Sequence, residues 1–168
     1  MRTIIHDLND KEIDKFGYND DDIIINATDC ENSCTGCFSC WVKHPTKCMY
    51  NDLYSDIPSY LKNSDELVLI SKNRYGCYSN NLKRVLERCI GYVLPHFTIR
   101  EGKIHHVSRY KKQLFLKVYF YGDITTNDKE CLYELVKANS INLNCSDFDI
   151  KYIEGVEIWL YYLMVVKN

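Results

Sequence analysis

The sequence predicts an α/β protein built on a doubly wound parallel sheet of five strands, with helices on both faces. Two observations predict this class. Short apolar runs of β-branched and aromatic residues recur along the chain, as in buried parallel strands. Segments whose apolar residues have helical spacing separate these runs. Strands that alternate with helices favour right-handed crossovers and a sheet covered on both faces.

Five segments have the pattern of strands. Four are brief, apolar and bounded by polar residues, and the fifth alternates apolar and polar residues. They are Thr3–Ile5, Ile23–Ile25, Leu67–Ile70, Leu114–Phe120 and Phe148–Ile153. The apolar stretch Val156–Val166 is compatible with either a strand or a helix.

Four segments have the pattern of helices. The clearest begins after Ser79, a favourable N-cap residue, and ends at Gly91. The other three are Asp10–Phe16, Asp52–Lys62 and Thr125–Asn142. Because Asp10–Phe16 allows at most about two helical turns, the first crossover of the predicted sheet is shortened.

Composition narrows the functional classes. The 168 residues suit one domain over 1–168, and 46% apolar with 26% charged residues indicates a globular chain. The 21 basic residues are interleaved with 23 acidic ones, so no basic surface for nucleic acid is expected. The sequence shows neither a secretion signal nor an apolar run long enough to span a bilayer. These features predict a cytoplasmic protein that binds neither nucleic acid nor membrane.

A cysteine-rich segment follows the second predicted strand. Cys34, Cys37, Cys40 and Cys48 have the spacing C-x2-C-x2-C-x7-C, and the chain holds nine cysteines in all. Four thiolates in one loop match the ligand count of a [4Fe–4S] cluster and also suit tetrahedral zinc. Two alternatives remain open: a redox role of the thiols without metal, and burial of the cysteines as small apolar residues.

A second candidate site follows the third predicted strand. The loop Ser71–Ser79 contains Tyr75, Gly76 and Tyr78 directly before the clearest helix. Tyrosines and free backbone N–H groups at this edge of a parallel sheet suit a flat heteroaromatic ligand. An ordinary strand-to-helix loop explains the same residues equally well.

Three polar segments are interpreted as structural. His96–Lys112, with Pro95 before it, is predicted to be the longest loop of the chain. Within it, His105 and His106 are expected to be solvated, because adjacent side chains rarely converge on one metal ion. The run Asp20–Asp22 is expected to form a solvated turn.

The segment from Cys34 to Arg88 resembles the iron-sulfur flavoprotein and NAD(P)H-dependent FMN reductase branch of the flavodoxin-like proteins. In that branch a C-x-G-C-x-x-C segment and a later Cys follow the second strand. A loop of the type S-P-x-Y-x-x-x-x-S-x-x-L-K-x-x-x-D-R follows the third. The residues that match this loop are Ser71, Tyr75, Leu82, Lys83 and Arg88, while Lys72 and Glu87 replace its Pro and Asp.

The resemblance implies a flavodoxin-like fold and an oxidoreductase that passes a hydride from NAD(P)H to FMN. The electrons then go to an unidentified acceptor, and a [4Fe–4S] cluster at the four cysteines is a further option. Because the flavin carries the chemistry, no catalytic side chain is expected. Relatives of this branch are usually homo-oligomers. The residues expected to bind FMN are Ser71, Asn73, Arg74, Tyr75, Gly76, Tyr78, Ser79, Tyr121 and Gly122.

One segment departs from the family pattern. Where relatives have a Gly-Ser-x-Arg loop for the FMN phosphate, this chain has His6-Asp7-Leu8-Asn9-Asp10. Each carboxylate would cost on the order of 1 to 4 kcal/mol against a phosphate dianion at close range. FMN is therefore weakly bound, or held by another segment, or lost. Loss of FMN would leave a non-enzymatic module that binds a metal, a cluster or a partner.

Overall fold

The computed structural model of the chain describes residues 1–153 and contains two sheets. Five parallel strands form the main sheet and two antiparallel strands form a hairpin. The segment Val156–Val166 lies outside the described residues. The strands are β1 (Arg2–His6), β2 (Ile23–Asn26), β3 (Glu66–Lys72), β4 (Val93–Arg100), β5 (Lys103–Ser108), β6 (Phe115–Tyr121) and β7 (Asp147–Ile153).

The main sheet has the strand order β2-β1-β3-β6-β7, and all of its pairs are parallel. Ile5 of β1 is opposite Ile25 on one side and Leu69 on the other. This is the flavodoxin-like α/β fold, and all five predicted strands are present. The strands end together at one edge, so the loops after β1, β3 and β6 meet there.

The predicted helices are also present, although the one predicted from Asp52 begins only at Ile57, directly before Pro58. Asn9 and Glu12 form a capping box that starts the first helix, and the Ser79 hydroxyl caps the fourth. The fourth helix continues as a 3-10 helix over Arg88–Tyr92. The α-helices are α1 (Asp10–Phe16), α2 (Ser39–Val42), α3 (Ile57–Asn63), α4 (Asn80–Glu87) and α5 (Thr126–Asn142).

Alternation along the strands divides the core between the two faces. Ile5 and Leu69 belong to the cluster that also contains residues of α3, α4 and α5. Their neighbours Ile4 and Ile70 belong to a second cluster with residues of α1. Helices therefore cover both faces of the sheet, as the sequence predicts.

The prediction of a long loop over His96–Lys112 is wrong, because most of this segment forms the β4–β5 hairpin. Its two-residue turn consists of Glu101 and Gly102, which have φ of 49° and 74°. Positive φ at both positions matches the twist of a tight hairpin. Pro95 is accommodated where the pairing shifts register between Val93 and Phe97.

The histidine pair of the hairpin and the acidic turn before β2 were both predicted to be solvated, and both make contacts within the protein. His105 is 8% exposed and its Nδ1 lies 2.7 Å from Asn142 Oδ1. The His106 Nδ1 lies 2.8 Å from the Leu94 carbonyl oxygen. In the acidic turn, the Asp22 side chain is not solvated, because its carboxylate pairs with Arg2. Within residues 1–153, none of the helices combines the length and apolar character that a bilayer crossing requires.

Candidate functional site

The carboxyl edge of the sheet is held together by Asp7. Its carboxylate accepts hydrogen bonds from the Lys72 backbone N–H, at 3.1 and 3.2 Å, and from the Tyr121 hydroxyl at 3.1 Å. The loops after β1, β3 and β6 are thereby joined. Burial, together with the negative charge of Asp7, raises the pKa of Tyr121. The residue that breaks the family's phosphate motif is therefore a structural link at this edge.

Asn73 joins the loops after β3 and β6 in the same way. Its side chain donates to the Asp123 carbonyl oxygen at 2.7 Å and accepts from the Gly76 N–H at 3.0 Å. Its own N–H donates to the Tyr121 carbonyl oxygen at 2.9 Å. Ser79 N–H likewise donates to the Ser71 hydroxyl at 2.9 Å. Backbone donors that were expected to be free for a ligand are thus used within the protein.

The three tyrosines expected at a flavin lie in different environments. Tyr75 is 97% exposed at the tip of a tight turn that Arg74 and Cys77 close through two backbone hydrogen bonds. Tyr78 is buried and stacks on Phe120, with 5.3 Å between ring centroids. Tyr121 is half-buried and bonded to Asp7, as described above. The structure therefore does not bring the three rings into one stack.

Gly122 completes the predicted set at the end of β6. Its φ is 98°, which favours glycine. A Cβ there would lie 3.7 Å from the Lys72 side chain, which is ordinary contact. The predicted binding residues of the β3 and β6 loops thus lie on neighbouring loops, and their role toward FMN stays a prediction.

An acidic cavity of about 510 Å³ lies at the end of β1. Asn9 and Glu12 of its lining are engaged in the capping box of α1, so that helix end already has its hydrogen-bond partners. Among residues 1–153, no lysine or arginine lines it. We call its four carboxylates, Asp7, Asp10, Glu12 and Asp29, the acidic cradle.

The acidic cradle does not fit the phosphate of FMN. A phosphate dianion needs N–H donors or cations, and this cavity presents four carboxylates and a helix end that is already capped. Each carboxylate near the phosphate opposes binding by on the order of 1 kcal/mol even in a water-like dielectric.

A larger cavity, of about 770 Å³, lies away from this edge. The cysteine-rich loop, the end of α4 with the 3-10 helix, and the β4–β5 hairpin enclose it. None of its lining residues comes from the loops after β1, β3 or β6. We call it the thiol cavity, because Cys34, Cys37, Cys40 and Cys48 all line it.

A buried arginine supplies the charge of the thiol cavity. The Arg88 side chain is 0% exposed and donates two hydrogen bonds to the Asp52 carboxylate, at 2.6 and 2.8 Å. Burial is the largest single influence and opposes the charge of Arg88, but Asp52 together with the neighbouring Cys48 and Cys30 raises its pKa. Arg88 Nη1 also lies 3.7 Å from Cys30 Sγ, and Arg88 and Cys48 both line the thiol cavity. Its Nε has no hydrogen-bond partner among residues 1–153.

The thiols differ in their surroundings. Burial is the main cause that raises the pKa of Cys40, and the charges of Cys34, Cys48 and Cys37 add to it. Cys37 is exposed, whereas the other three are half-buried. In the described part of the chain, no three metal-liganding side chains converge closely enough to hold a metal ion. A mononuclear zinc site therefore does not fit, and the cluster remains without support.

The sequence did not point to Arg88 as part of the cysteine site. Arg88 belongs to the helix after β3 and lies 58 residues from Cys30 along the chain, so only the fold brings them together. Aromatic residues of the cavity, such as Trp41 and Phe97, were also missed. The available signal for Trp41 was its position directly after Cys40. Phe97 was missed because the prediction placed it in a loop.

The order and direction of the strands define a flavodoxin-like fold. No protein-family model matches the sequence, and no curated protein matches it. Solved structures with the same fold include an FMN-dependent NADH-azoreductase from Bacillus anthracis str. Ames Ancestor in complex with FMN, with a TM-score of 0.56 and 15% identity. That alignment covers 94% of this chain and 88% of the azoreductase.

Two further solved structures are similar. Azoreductase AzrA has a TM-score of 0.58 and 9% identity, with 92% of this chain and 86% of AzrA covered. An NADH:FMN oxidoreductase in its apo form has a TM-score of 0.55 and 9% identity, with 91% and 74% covered. At these identities the similarity establishes the fold.

Proposed function

We propose that this chain is a redox protein with a flavodoxin-like fold, and that the thiol cavity is its reaction site. The observation that carries the proposal is that the four cysteines line one cavity together with the buried Arg88. Partly exposed cysteines close to a positive charge are typical of redox-active thiols. The oxidoreductase class is further supported by three solved structures of the same fold, all named as reductases or oxidoreductases.

The proposed reaction is the reversible formation of a disulfide between Cys48 and Cys40. Cys48 and hydrogen peroxide give a sulfenic acid and one water molecule. The Cys40 thiol then condenses with the sulfenic acid, which forms the disulfide and releases a second water molecule. Two thiols are oxidised by two electrons and one peroxide is reduced. Cys40 is proposed as the partner because it is half-buried and lines the same cavity as Cys48.

Counting thiols tests this proposal. After one equivalent of hydrogen peroxide, the thiols of the denatured protein should fall by two from nine, and dithiothreitol should restore them. Cys48→Ser should abolish the loss. Cys131→Ser is the matched control, since Cys131 is exposed and outside the thiol cavity, and it should leave the loss intact. An unchanged count in the wild type contradicts the proposal, and bound iron or zinc in the same sample would favour a metal-binding module.

The second candidate is an FMN-dependent NAD(P)H oxidoreductase. It is favoured by the solved structures, since the azoreductase from Bacillus anthracis is named as FMN-dependent and using NADH. The β3 loop, which resembles the ring motif, and the β6 loop, which carries Tyr121 and Gly122, also lie side by side in this chain. The acidic cradle opposes the phosphate, so this function would require FMN to be held in another way.

A visible spectrum discriminates between the two candidates. Protein purified anaerobically and mixed with FMN is passed through a desalting column, and NADH is then added. We expect the flavin to be lost on the column because of the acidic cradle. Retained flavin that NADH bleaches would instead establish the second candidate. Nicotinamide use, the electron acceptor and homo-oligomerisation remain predictions.

A further inference from the structure

The thiol cavity has the size and walls of a site for a small apolar molecule. Its volume of about 770 Å³ lies within the range of about 300 to 1,000 Å³ that ligand sites occupy. Its lining combines the four cysteines with aromatic and apolar side chains from the cysteine-rich loop and the hairpin. The charged residues that line it within 1–153 are Glu87 and Arg88, and Asp52 balances the charge of Arg88. A neutral ligand with an apolar group is therefore favoured over an anion.

Four rings form a continuous row along the cavity. Phe38 lies 5.4 Å from Trp41, Trp41 lies 5.1 Å from His106, and His106 lies 4.8 Å from Phe97, all between ring centroids. All four line the cavity, and Phe38 and Phe97 at the two ends are 60% and 68% exposed. Exposed ring surface in a cavity favours contact with an aromatic ligand.

Hydrogen bonds to β4 hold the middle of this row in place. Trp41 Nε1 donates to the Val93 carbonyl oxygen at 2.9 Å, and His106 Nδ1 lies 2.8 Å from the Leu94 carbonyl oxygen. Because both rings are already fixed by the protein, little side-chain entropy is lost when a ligand packs against them.

The thiols belong to the same wall as the rings. Cys37 directly precedes Phe38, and Cys40 directly precedes Trp41. Cys40 and Cys48 are half-buried and line the cavity as well. A molecule that packs against the ring row is therefore held in the same cavity as the thiols of the proposed reaction, which favours a reaction between the two.

We propose that the preferred oxidant of the thiol cavity is an aromatic hydroperoxide, a neutral molecule with an O–O–H group next to a ring. This inference rests on the proposed function, because it names the substrate class of the same site. Cys48 sulfur attacks the terminal peroxide oxygen, the O–O bond breaks, and a sulfenic acid and an alcohol form. The Cys40 thiol then condenses with the sulfenic acid to give the disulfide and water. In total, two thiols lose two electrons, and one hydroperoxide is reduced to one alcohol and one water molecule.

A matched pair of hydroperoxides tests the inference. Cumene hydroperoxide differs from tert-butyl hydroperoxide by a phenyl ring in place of one methyl group, and hydrogen peroxide carries no apolar group. The rate of thiol loss with each oxidant is divided by its rate with N-acetylcysteine, which removes differences in intrinsic reactivity. We expect the normalised rate with cumene hydroperoxide to exceed the other two about tenfold, as partial burial of one phenyl ring provides. One molecule of cumyl alcohol should appear for every two thiols lost.

Two variants on the same strand locate the ring. Phe97→Ser should lower the ratio of the cumene hydroperoxide rate to the tert-butyl hydroperoxide rate. Ile99→Ser should keep this ratio, since Ile99 is 73% exposed and outside the cavity lining. Circular dichroism confirms that each variant is folded. Equal ratios in the two variants would exclude this cavity as the site of the ring and overturn the inference.

The three oxidants also separate this inference from the proposed function. If hydrogen peroxide removes two thiols and the three normalised rates are equal, the inference is wrong and the proposed function stands. If none of the oxidants removes thiols, both are wrong.

Discussion

The acidic cradle and the thiol cavity use the same fold in opposite ways. At the cradle, four carboxylates line one cavity at the end of β1, and none of the described lysines or arginines lines it. At the thiol cavity, a buried arginine lies among sulfurs and aromatic rings. The first region is negatively charged and lies at the carboxyl edge of the main sheet, whereas the second is bordered by the cysteine-rich loop, the end of α4 and the hairpin. One fold can therefore carry cavities of different chemistry in different places.

The position of charge explains the difference between the two regions. Asp7 is used to join three loops, so its negative charge is a structural feature of the carboxyl edge. Arg88 is buried and requires the Asp52 carboxylate to remain so. Removing either charge should alter one region and leave the other unchanged.

The largest expected effect is on the thiol cavity. Arg88→Met leaves Asp52 without its partner and should lower the free energy of unfolding by about 3 kcal/mol, the lower end for a buried pair, since Asp52 is 26% exposed. Urea unfolding measures the loss. The double variant Arg88→Met with Asp52→Asn should recover part of it, because no unpaired carboxylate remains. A loss below about 1 kcal/mol in the single variant would show that the pair is not a stabilising centre.

The next largest effect is a difference in stability loss between two turns, the tight turn after β3 and the turn of the β4–β5 hairpin. Gly76 and Gly102 have φ of 73° and 74°, so alanine costs about 1 to 2 kcal/mol of conformational energy at either position. At Gly76 a Cβ would also lie 2.8 Å from Cys131 Cβ, whereas at Gly102 nothing lies within 4 Å. Gly76→Ala should therefore be roughly 1 kcal/mol more destabilising than Gly102→Ala in urea unfolding. Equal losses would mean that α5 shifts to accommodate the added Cβ without a further loss of stability.

The strands and helices of the main sheet could be predicted from the sequence because their patterns are local. β1, β2, β3 and β6 are continuous apolar runs, and α5 begins at a capping box formed by Thr125 and Asp128. The hairpin was missed because its turn is Glu101-Gly102, which lacks the common Asn-Gly or Asp-Gly signal. The prediction treated Pro95 as a break, although a register shift accommodates it.

The sites were harder to predict because they depend on contacts between distant segments. Spacing alone grouped Cys34, Cys37, Cys40 and Cys48, and these four do line one cavity. Spacing could not show that Arg88 would join them. It also could not show that the Asn73 side chain would accept a hydrogen bond from the Gly76 N–H and donate one to the Asp123 carbonyl oxygen, because the second bond joins segments distant in sequence.

A smaller effect is expected at the acidic cradle. Asp10→Asn with Asp29→Asn removes two negative charges, and at about 1 kcal/mol each this should strengthen FMN binding at least about tenfold. Riboflavin, which has no phosphate, is the control ligand and should bind both proteins alike. Raising the salt concentration should shrink the difference. If the variant and the wild type bind FMN equally, the phosphate does not approach these carboxylates.

The smallest expected effect is the pH dependence contributed by His6, which ends β1 next to the cradle. Burial lowers its pKa, and the nearby charges of Asp7, Asp10 and Asp29 only partly oppose this. The unfolded chain therefore binds a proton that the folded protein resists, so stability is full above about pH 6.5 and falls as the pH drops below it. Urea midpoints at pH 7.5 and 5.5 should show this loss in the wild type and a smaller one in His6→Gln. Because arginine does not titrate here, Arg88→Lys should retain the wild-type slope, and equal slopes in the wild type and His6→Gln would assign the pH dependence to other groups.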